Sequence, residues 1–274
     1  MVYSYQIMTI ALSPSGLRFQ HWPASQPGRP TLVLIHGLFG DLQSWPSLTP
    51  EALRLGFGVL CIELPSHGES PSVATGFEPM VNAVSQLLDH TAGPLVLVGH
   101  SMGAAIAARA ACRLDAAQLH SVLLISPAGC GPDINQSFVD GMLGANDNRA
   151  LEQEIGKLTM TPFVLDEAYL DAYRGRLHTQ RGALARLAAD ISVNGVQQIS
   201  ILPDLAQLAC PLTVIHGRED RIIPWHHALN AAPEEALHIL PDVGHIPYEE
   251  APTVLHGILA RMGAATFPDQ HEDN

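Results

Sequence analysis

A serine lies between two glycines at Gly99-His100-Ser101-Met102-Gly103, the pattern G-x-S-x-G. A hydroxyl is a weak nucleophile until a base takes its proton. The pentapeptide carries weight here because of what flanks it. The apolar run Leu95-Val96-Leu97-Val98 precedes it, and an Ala-rich helical pattern starts at Met102. Strand, tight turn and helix is the context in which a strained turn lifts a serine Oγ above a sheet. The N-terminus of the following helix also favours negative charge developing beside Ser101.

The base is expected late in the chain, after a strand, with an acid between it and the serine. Val243-Gly244-His245 follows the strand pattern Leu237–Leu240, so His245 is the candidate base. His226 and His227 open a helical pattern and read as solvated. His36 and His100 adjoin the site at strand ends and read as supporting groups, and His67 lies in a loop that can face a pocket. The acid is expected after the strand pattern Leu212–Ile215, where His216-Gly217-Arg218-Glu219-Asp220 supplies two carboxylates. Asp220 is the choice and Glu219 the alternative. The earlier position that can hold the acid reads Ser126-Pro127-Ala128 and has no carboxylate. An oxyanion needs two N–H donors. Met102 supplies one, and the loop His36-Gly37-Leu38-Phe39-Gly40 supplies the other at Leu38. That loop lacks the GxxxxGK[ST] pattern of a phosphate cradle.

These residues need a scaffold. Thr31–Ile35, Gly58–Glu63, Leu95–Val98, Ser121–Ile125, Leu212–Ile215 and Leu237–Leu240 are apolar throughout rather than alternating. Strands covered on both faces of a parallel sheet read this way. Helical patterns at 77–90, 102–114, 225–231 and 251–262 lie between or after them. The alternation predicts a mostly parallel α/β sheet with helices on both faces. Residues 4–12 and 18–22, joined by Ser13-Pro14-Ser15-Gly16, predict an antiparallel hairpin at the sheet edge. From Pro127 to Ala209 the patterns are helical, at 134–143, 149–158, 166–174 and 182–194, with no convincing strand. The expected division is a core at 1–126, a helical cap at 127–209 inserted after the sixth strand, the rest of the core at 210–262, and a polar tail at 263–274.

Composition narrows the class. The chain has 274 residues, and its 47% apolar content is enough for a large core. With 14 Lys and Arg against 27 Asp and Glu, no basic patch is available for nucleic acid or an anionic membrane. No run approaches the ~18 apolar residues of a membrane-spanning helix. The four cysteines, Cys61, Cys112, Cys130 and Cys210, form no CxxC pair. They predict buried thiols rather than a zinc site or a disulfide framework. Together with a start, Met1–Gln6, that has no signal-like core, this places the chain in the cytoplasm, with neither metal nor cofactor.

The chain resembles the α/β-hydrolase fold from about residue 4 to residue 262. The His-Gly loop, Gly-His-Ser-Met-Gly, Gly-Arg-Glu-Asp and Gly-His-Ile-Pro fall in that family's order. Glu63-Leu64-Pro65-Ser66-His67-Gly68-Glu69-Ser70 resembles its Asp-x-Pro-Gly-His-Gly-x-Ser loop, departing at Glu63 and Ser66. A narrower likeness runs through Ser126–Asn135, Phe138–Gly141 and Gly217–Pro224. It is to the hydrolase-like catalytic domain of the dihydrolipoamide acetyltransferase of acetoin dehydrogenase systems. That resemblance implies acetyl transfer between lipoamide and coenzyme A. Those proteins carry an N-terminal lipoyl domain on a linker. For this chain the likeness implies either a separate lipoyl-bearing partner or a stand-alone hydrolase. Haloalkane dehalogenases and epoxide hydrolases of the fold use an aspartate where Ser101 stands. The carbon–carbon hydrolases of aromatic-ring degradation usually have Asn where His100 stands.

The functional expectation is a cofactor-independent serine hydrolase acting on a small ester, thioester or related acyl substrate. Ser101, His245 and Asp220 form its triad and Leu38 and Met102 its oxyanion hole. Phe39, Phe138, Met142 and Ile222 are candidate substrate contacts. Phe138, Met142, Phe163, Tyr169 and Tyr173 read equally as pocket wall or as the cap's own core. Few basic residues in the cap favour a neutral, modest acyl group, unless Arg174 or Arg176 lines the pocket. Acetyl transfer to a thiol is the alternative within the same chemistry. A non-catalytic small-molecule binding module on the same scaffold is the alternative outside it.

Overall fold

The computed structural model describes residues 10–71, 76–231, 233 and 236–264. Its centre is an eight-stranded sheet, built from β1 (Ile10–Leu12), β2 (Arg18–Trp22), β3 (Thr31–Ile35), β4 (Gly58–Glu63), β5 (Leu95–His100), β6 (Leu119–Ile125), β9 (Leu212–Gly217) and β10 (Leu237–Leu240). Their spatial order is β1-β2-β4-β3-β5-β6-β9-β10. The β1–β2 and β2–β4 pairings are antiparallel and every other pairing is parallel. The expected edge hairpin is thus present in its second half; residues 4–9 lie outside the described residues.

Side chains alternate between the two faces of a strand. Val33, Ile35, Leu60, Leu97 and Leu124 therefore pack on one face with α2 (Phe77–Leu88) and α3 (Met102–Ala111). Leu32, Leu34, Val59, Val98 and Leu123 pack on the other with α1 (Leu48–Arg54) and α9 (Pro252–Ala264). This double coverage is why the central strands read as continuous apolar runs.

Between β6 and β9 the chain forms α4 (Gln136–Gly144), α5 (Asn148–Ile155), α6 (Glu167–Ile191), the short strands β7 (Ser192–Val193) and β8 (Val196–Gln197), and α7 (Leu202–Leu205). Asn135, Asp147 and Asp166 cap α4, α5 and α6, each accepting a hydrogen bond from the backbone N–H three residues on. Phe138, Met142, Leu151, Leu170, Leu177 and Leu184 make a separate core with Phe39 and Ile222 of the sheet domain.

Several expectations are corrected. The helical patterns at 166–174 and 182–194 are one helix, α6, of 25 residues. Its buried stripe of Leu170, Leu177, Leu184, Leu187 and Ile191 runs past Gly175 and Gly182 without interruption. The segment also contains the β7–β8 hairpin, too short to leave a periodic signal. The pattern at 225–231 is a 3₁₀ helix, Trp225–Asn230. The α9 helix extends to Ala264, into the expected tail; residues 265–274 lie outside the described residues. Of the cysteines, Cys61 and Cys130 are buried, but Cys112 is exposed and Cys210 half-buried. The described residues contain no helix long and apolar enough to cross a membrane.

Candidate active site

Ser101 stands between β5 and α3 with φ 55° and ψ −119°. A non-glycine residue at positive φ is strained, by about 1–3 kcal/mol. The turn holds because its neighbours leave no room to relax. A Cβ on Gly99 would strike the backbone of Gly103 and Ala104, and one on Gly103 would strike the carbonyls of Ile35 and His36. Both glycines therefore permit close approach of α3 to the strands. The Ser101 N–H donates to the Ile125 carbonyl at 2.9 Å, which ties the turn to β6. Met102 is the first residue of α3. First-turn N–H groups have no partner within their own helix.

His245 and Asp220 meet across two loops. The Asp220 Oδ2 accepts from His245 Nδ1 at 2.7 Å and from His216 Nε2 at 2.9 Å. Its Oδ1 accepts from the N–H groups of Ile222 and Ile223 at 2.7 and 3.0 Å. Four donors fill the carboxylate and fix its plane. Burial alone would push the Asp220 carboxyl up. The charge of His245 and the hydrogen bonds from His216 and His245 outweigh burial and hold it well below the usual carboxylate range. With Nδ1 committed to Asp220, Nε2 is the nitrogen of His245 left for chemistry. The His245 N–H donates to the Leu158 carbonyl at 2.7 Å, and its carbonyl accepts from His100 Nε2 at 2.8 Å. Glu219, the alternative acid, instead accepts from the Val243 N–H at 3.2 Å.

The supporting histidines stay neutral. Burial, followed by repulsion from His245, pushes His100 down to about 3. Burial pushes His36 down to about 4. His36 donates from Nδ1 to the Gly37 carbonyl at 2.8 Å and accepts the Leu64 N–H at Nε2, 3.1 Å. It thereby clamps the loop that carries Leu38. That loop is a β-turn closed by Gly40 N–H to Gly37 carbonyl, 3.0 Å, with Phe39 at φ 70°.

Ser101, His245, Leu38 and Met102 line one cavity of about 640 Å³. Phe39, Phe138, Met142 and Ile222 line it too, as do Phe163, Tyr169 and Tyr173. Phe138, Phe163 and Tyr173 both line the cavity and belong to the separate core packed around α4 to α6, whereas Tyr169 lines the cavity from outside that core. Among the described residues no Lys or Arg lines the cavity. Arg176 pairs with Asp41 at 3.1 Å, and Arg174 is held by Asn148 and Asp171, both at 2.9 Å. His67 is absent from this lining. It is fully buried, with Nδ1 donating to the Pro65 carbonyl at 2.8 Å, and lines a small recess beneath α6 instead.

His227 is a further correction, since it is buried rather than solvated. With Asp133 and His226 it offers three potential metal-ligand atoms within 4.8 Å of one another. This is the group among the described residues that could hold a metal. Asp133 and His226 are exposed, His227 already pairs with Asp133 at 3.3 Å, and none of the three lines the cavity.

Two participants, His216 and Gln197, were not singled out from sequence, and for a third, Tyr173, the contact it makes was not. His216 carries the second imidazole on Asp220; its place at the end of β9, four residues before the acid, was the available signal. Gln197 lines the cavity and grips the stretch that follows β6. It accepts the Gly129 N–H at 2.8 Å and donates to the carbonyls of Gly131 and Asp133 at 2.9 and 3.0 Å. Tyr173 donates to the Phe39 carbonyl at 2.7 Å, a contact between distant segments that no local pattern announces.

Several known proteins are similar to this chain in sequence or in fold. The chain is 31% identical over 241 residues to the dihydrolipoyllysine-residue acetyltransferase component of the acetoin cleaving system of Cupriavidus necator, covering 85% of this chain but 63% of that protein. It is 25% identical to the 2-succinyl-6-hydroxy-2,4-cyclohexadiene-1-carboxylate synthase of Salmonella agona, covering 90% of this chain and 98% of that one. In fold it is similar to the 2-hydroxy-6-oxo-6-phenylhexa-2,4-dienoate hydrolase of Rhodococcus sp. strain RHA1. That likeness has a TM-score of 0.76 at 20% identity and covers 94% of this chain and 99% of that one. The family model described as the alpha/beta hydrolase family matches residues 32–256. With the strained strand-to-helix turn at Ser101, the sheet order and this match together, the chain belongs to the α/β-hydrolase family of enzymes.

Proposed function

We propose that the protein is a serine hydrolase that cleaves a small, uncharged ester or thioester through an acyl-enzyme. The observation that carries this reading is the 2.7 Å Asp220–His245 pair, with His245 and the strained Ser101 opening onto the same apolar cavity. In this reading Ser101 Oγ attacks the acyl carbonyl while His245 Nε2 takes its proton. The bond from Oγ to the carbonyl carbon forms, and the oxyanion is held by the N–H groups of Leu38 and Met102. The carbon–oxygen or carbon–sulfur bond to the leaving group then breaks, and His245 returns the proton to it. Water attacks the acyl-enzyme with His245 as base, releasing the acid and restoring Ser101. Asp220 stays ionised throughout and orients the imidazole.

The lining supports a neutral acyl group. It includes Asp41 and Glu249 and no Lys or Arg among the described residues. A carboxylate brought into such a cavity would lose its hydration without gaining a countercharge. This weighs against substrates like the carboxylate-bearing compound named for the Salmonella relative.

A second reading has the Cupriavidus relative in its favour. A thiol would replace water in the second half-reaction, and the acetyl group would pass between a lipoyl-bearing partner and coenzyme A. The same residues serve both readings, so the acceptor decides.

The test is turnover of p-nitrophenyl acetate by wild type and Ser101→Ala, with and without coenzyme A, beside a p-nitrophenyl hemisuccinate control. The reading predicts release into water without the thiol, at least a thousandfold loss in Ser101→Ala, and kcat/KM at least about a hundredfold lower for the carboxylated ester. Turnover that requires coenzyme A and yields acetyl-coenzyme A establishes the transferase. Ligand binding without turnover in the wild type establishes the binding module.

A further inference from the structure

We infer that Tyr173 is a positioning residue for the oxyanion hole, through which the cap holds the Leu38 turn in its working shape. The inference rests on the serine-hydrolase reading and concerns a residue that does not touch the reacting atoms in it.

The Gly37–Gly40 turn has Phe39 at its third position with φ 70°. Positive φ at that position marks a type II turn, where glycine is the favoured residue. A phenylalanine there must be held. Two contacts from α6 and α4 help to hold it. The Tyr173 hydroxyl donates to the Phe39 carbonyl at 2.7 Å. The Phe39 ring meets Phe138 edge-on, with centroids 6.1 Å apart and an interplanar angle of 76°.

The same face of α6 is anchored around this contact. Tyr169 stacks on Tyr173 at 6.0 Å, and the Arg176 guanidinium lies over the Tyr173 ring at 5.7 Å. Arg176 pairs with Asp41 at 3.1 Å. Asp41 in turn organises the next stretch of loop, accepting the Gln43 N–H at 2.8 Å and donating its own N–H to Ser44 Oγ at 2.9 Å. Gln180, one turn further, donates to the Ser70 carbonyl at 3.2 Å. Tyr173 is half-buried, and burial pushes its ionisation well above the usual range and keeps it a donor.

Without the Tyr173 bond, Phe39 is free to return to negative φ. That relaxation rotates the Leu38–Phe39 peptide and displaces the Leu38 N–H beside it. The oxyanion donor then loses the alignment that gives it catalytic value. Substrate binding in the apolar cavity should be little affected, because a Tyr173→Phe ring still fills the wall.

The experiment is a double-variant cycle. Tyr173→Phe, Phe39→Gly and the pair are compared with wild type for kcat and KM on p-nitrophenyl acetate, with thermal melts to verify folding. Glycine adopts φ 70° without strain, so the turn should no longer need its anchor. The inference predicts that Tyr173→Phe lowers kcat about tenfold to a hundredfold with KM within about twofold, short of the loss for a whole oxyanion donor. In the Phe39→Gly background the same substitution should lower kcat less than about threefold. A rise in KM at unchanged kcat, an equal loss in both backgrounds, or no loss overturns the inference. Fluorophosphonate labelling separates the two levels. A labelled wild type with Tyr173→Phe kinetics unchanged overturns this inference alone, whereas an unlabelled wild type overturns the serine reading and this inference with it.

Discussion

Asp220 and Glu219 are adjacent in sequence, yet only Asp220 reaches a histidine ring. The choice follows from the backbone: Asp220 Oδ1 is tied to the N–H groups of Ile222 and Ile223, which turns Oδ2 toward His245. Asp220→Asn should keep much of this geometry but replace a charge with a neutral amide, misorienting the imidazole and failing to stabilise its cation. We expect kcat to fall about 10³- to 10⁴-fold, while Glu219→Gln stays within about threefold. Steady-state kinetics on one ester check both, and equal losses would mean that the acid is misassigned. At this scale the sequence was most legible in placement: Ser101, Asp220 and His245 each follow a strand, Asp220 pairs with His245, and Ser101 and His245 line one cavity. It was least legible where a role depends on what arrives from elsewhere in the chain. His227 is buried beside Gly131, and Tyr173 reaches Phe39; neither contact leaves a local pattern.

At the scale of elements, the β5–turn–α3 unit is held by the absence of side chains. Alanine at Gly103 would raise helix propensity by about 1 kcal/mol. Its Cβ would nonetheless collide with the Ile35 and His36 carbonyls, backbone atoms that cannot step aside. Collision outweighs propensity, and Gly103→Ala is expected to destabilise the fold by about 1–3 kcal/mol. Urea unfolding measures this; a stabilised variant would contradict the packing account. The strands were legible because both faces are covered and the runs are apolar throughout. The single helix α6 was not, because Gly175 and Gly182 look like breaks. An added Cβ at Gly175 would meet nothing, so that glycine faces open space and costs helix propensity only. The buried leucine stripe carries the helix through both.

At the scale of the whole molecule, the buried histidines tie stability to pH. His36 is pushed down to about 4, and His67 and His100 to about 3, each chiefly by burial. An unfolded chain protonates these rings near pH 6.5. Below that pH the unfolded state therefore binds more protons than the folded one, and stability falls as the pH falls toward 4. Three such groups set a slope of up to about 4 kcal/mol per pH unit. Above pH 7 they contribute no pH dependence. Denaturant unfolding at pH 7, 6 and 5 should show a steep loss between the last two, and a flat profile would contradict neutral burial of these rings. The same histidines brace the site, His36 behind the Leu38 loop and His100 behind His245, so the acid limit of stability and that of activity should coincide.

The central claim is that Ser101 is the nucleophile, and active-site labelling tests it most directly. Wild-type protein and Ser101→Ala are incubated with a fluorophosphonate and analysed by intact mass and peptide mapping. The account predicts one adduct per wild-type chain, on the peptide containing Ser101, and none on the variant. An unlabelled wild type, or an adduct that persists in Ser101→Ala, would contradict it.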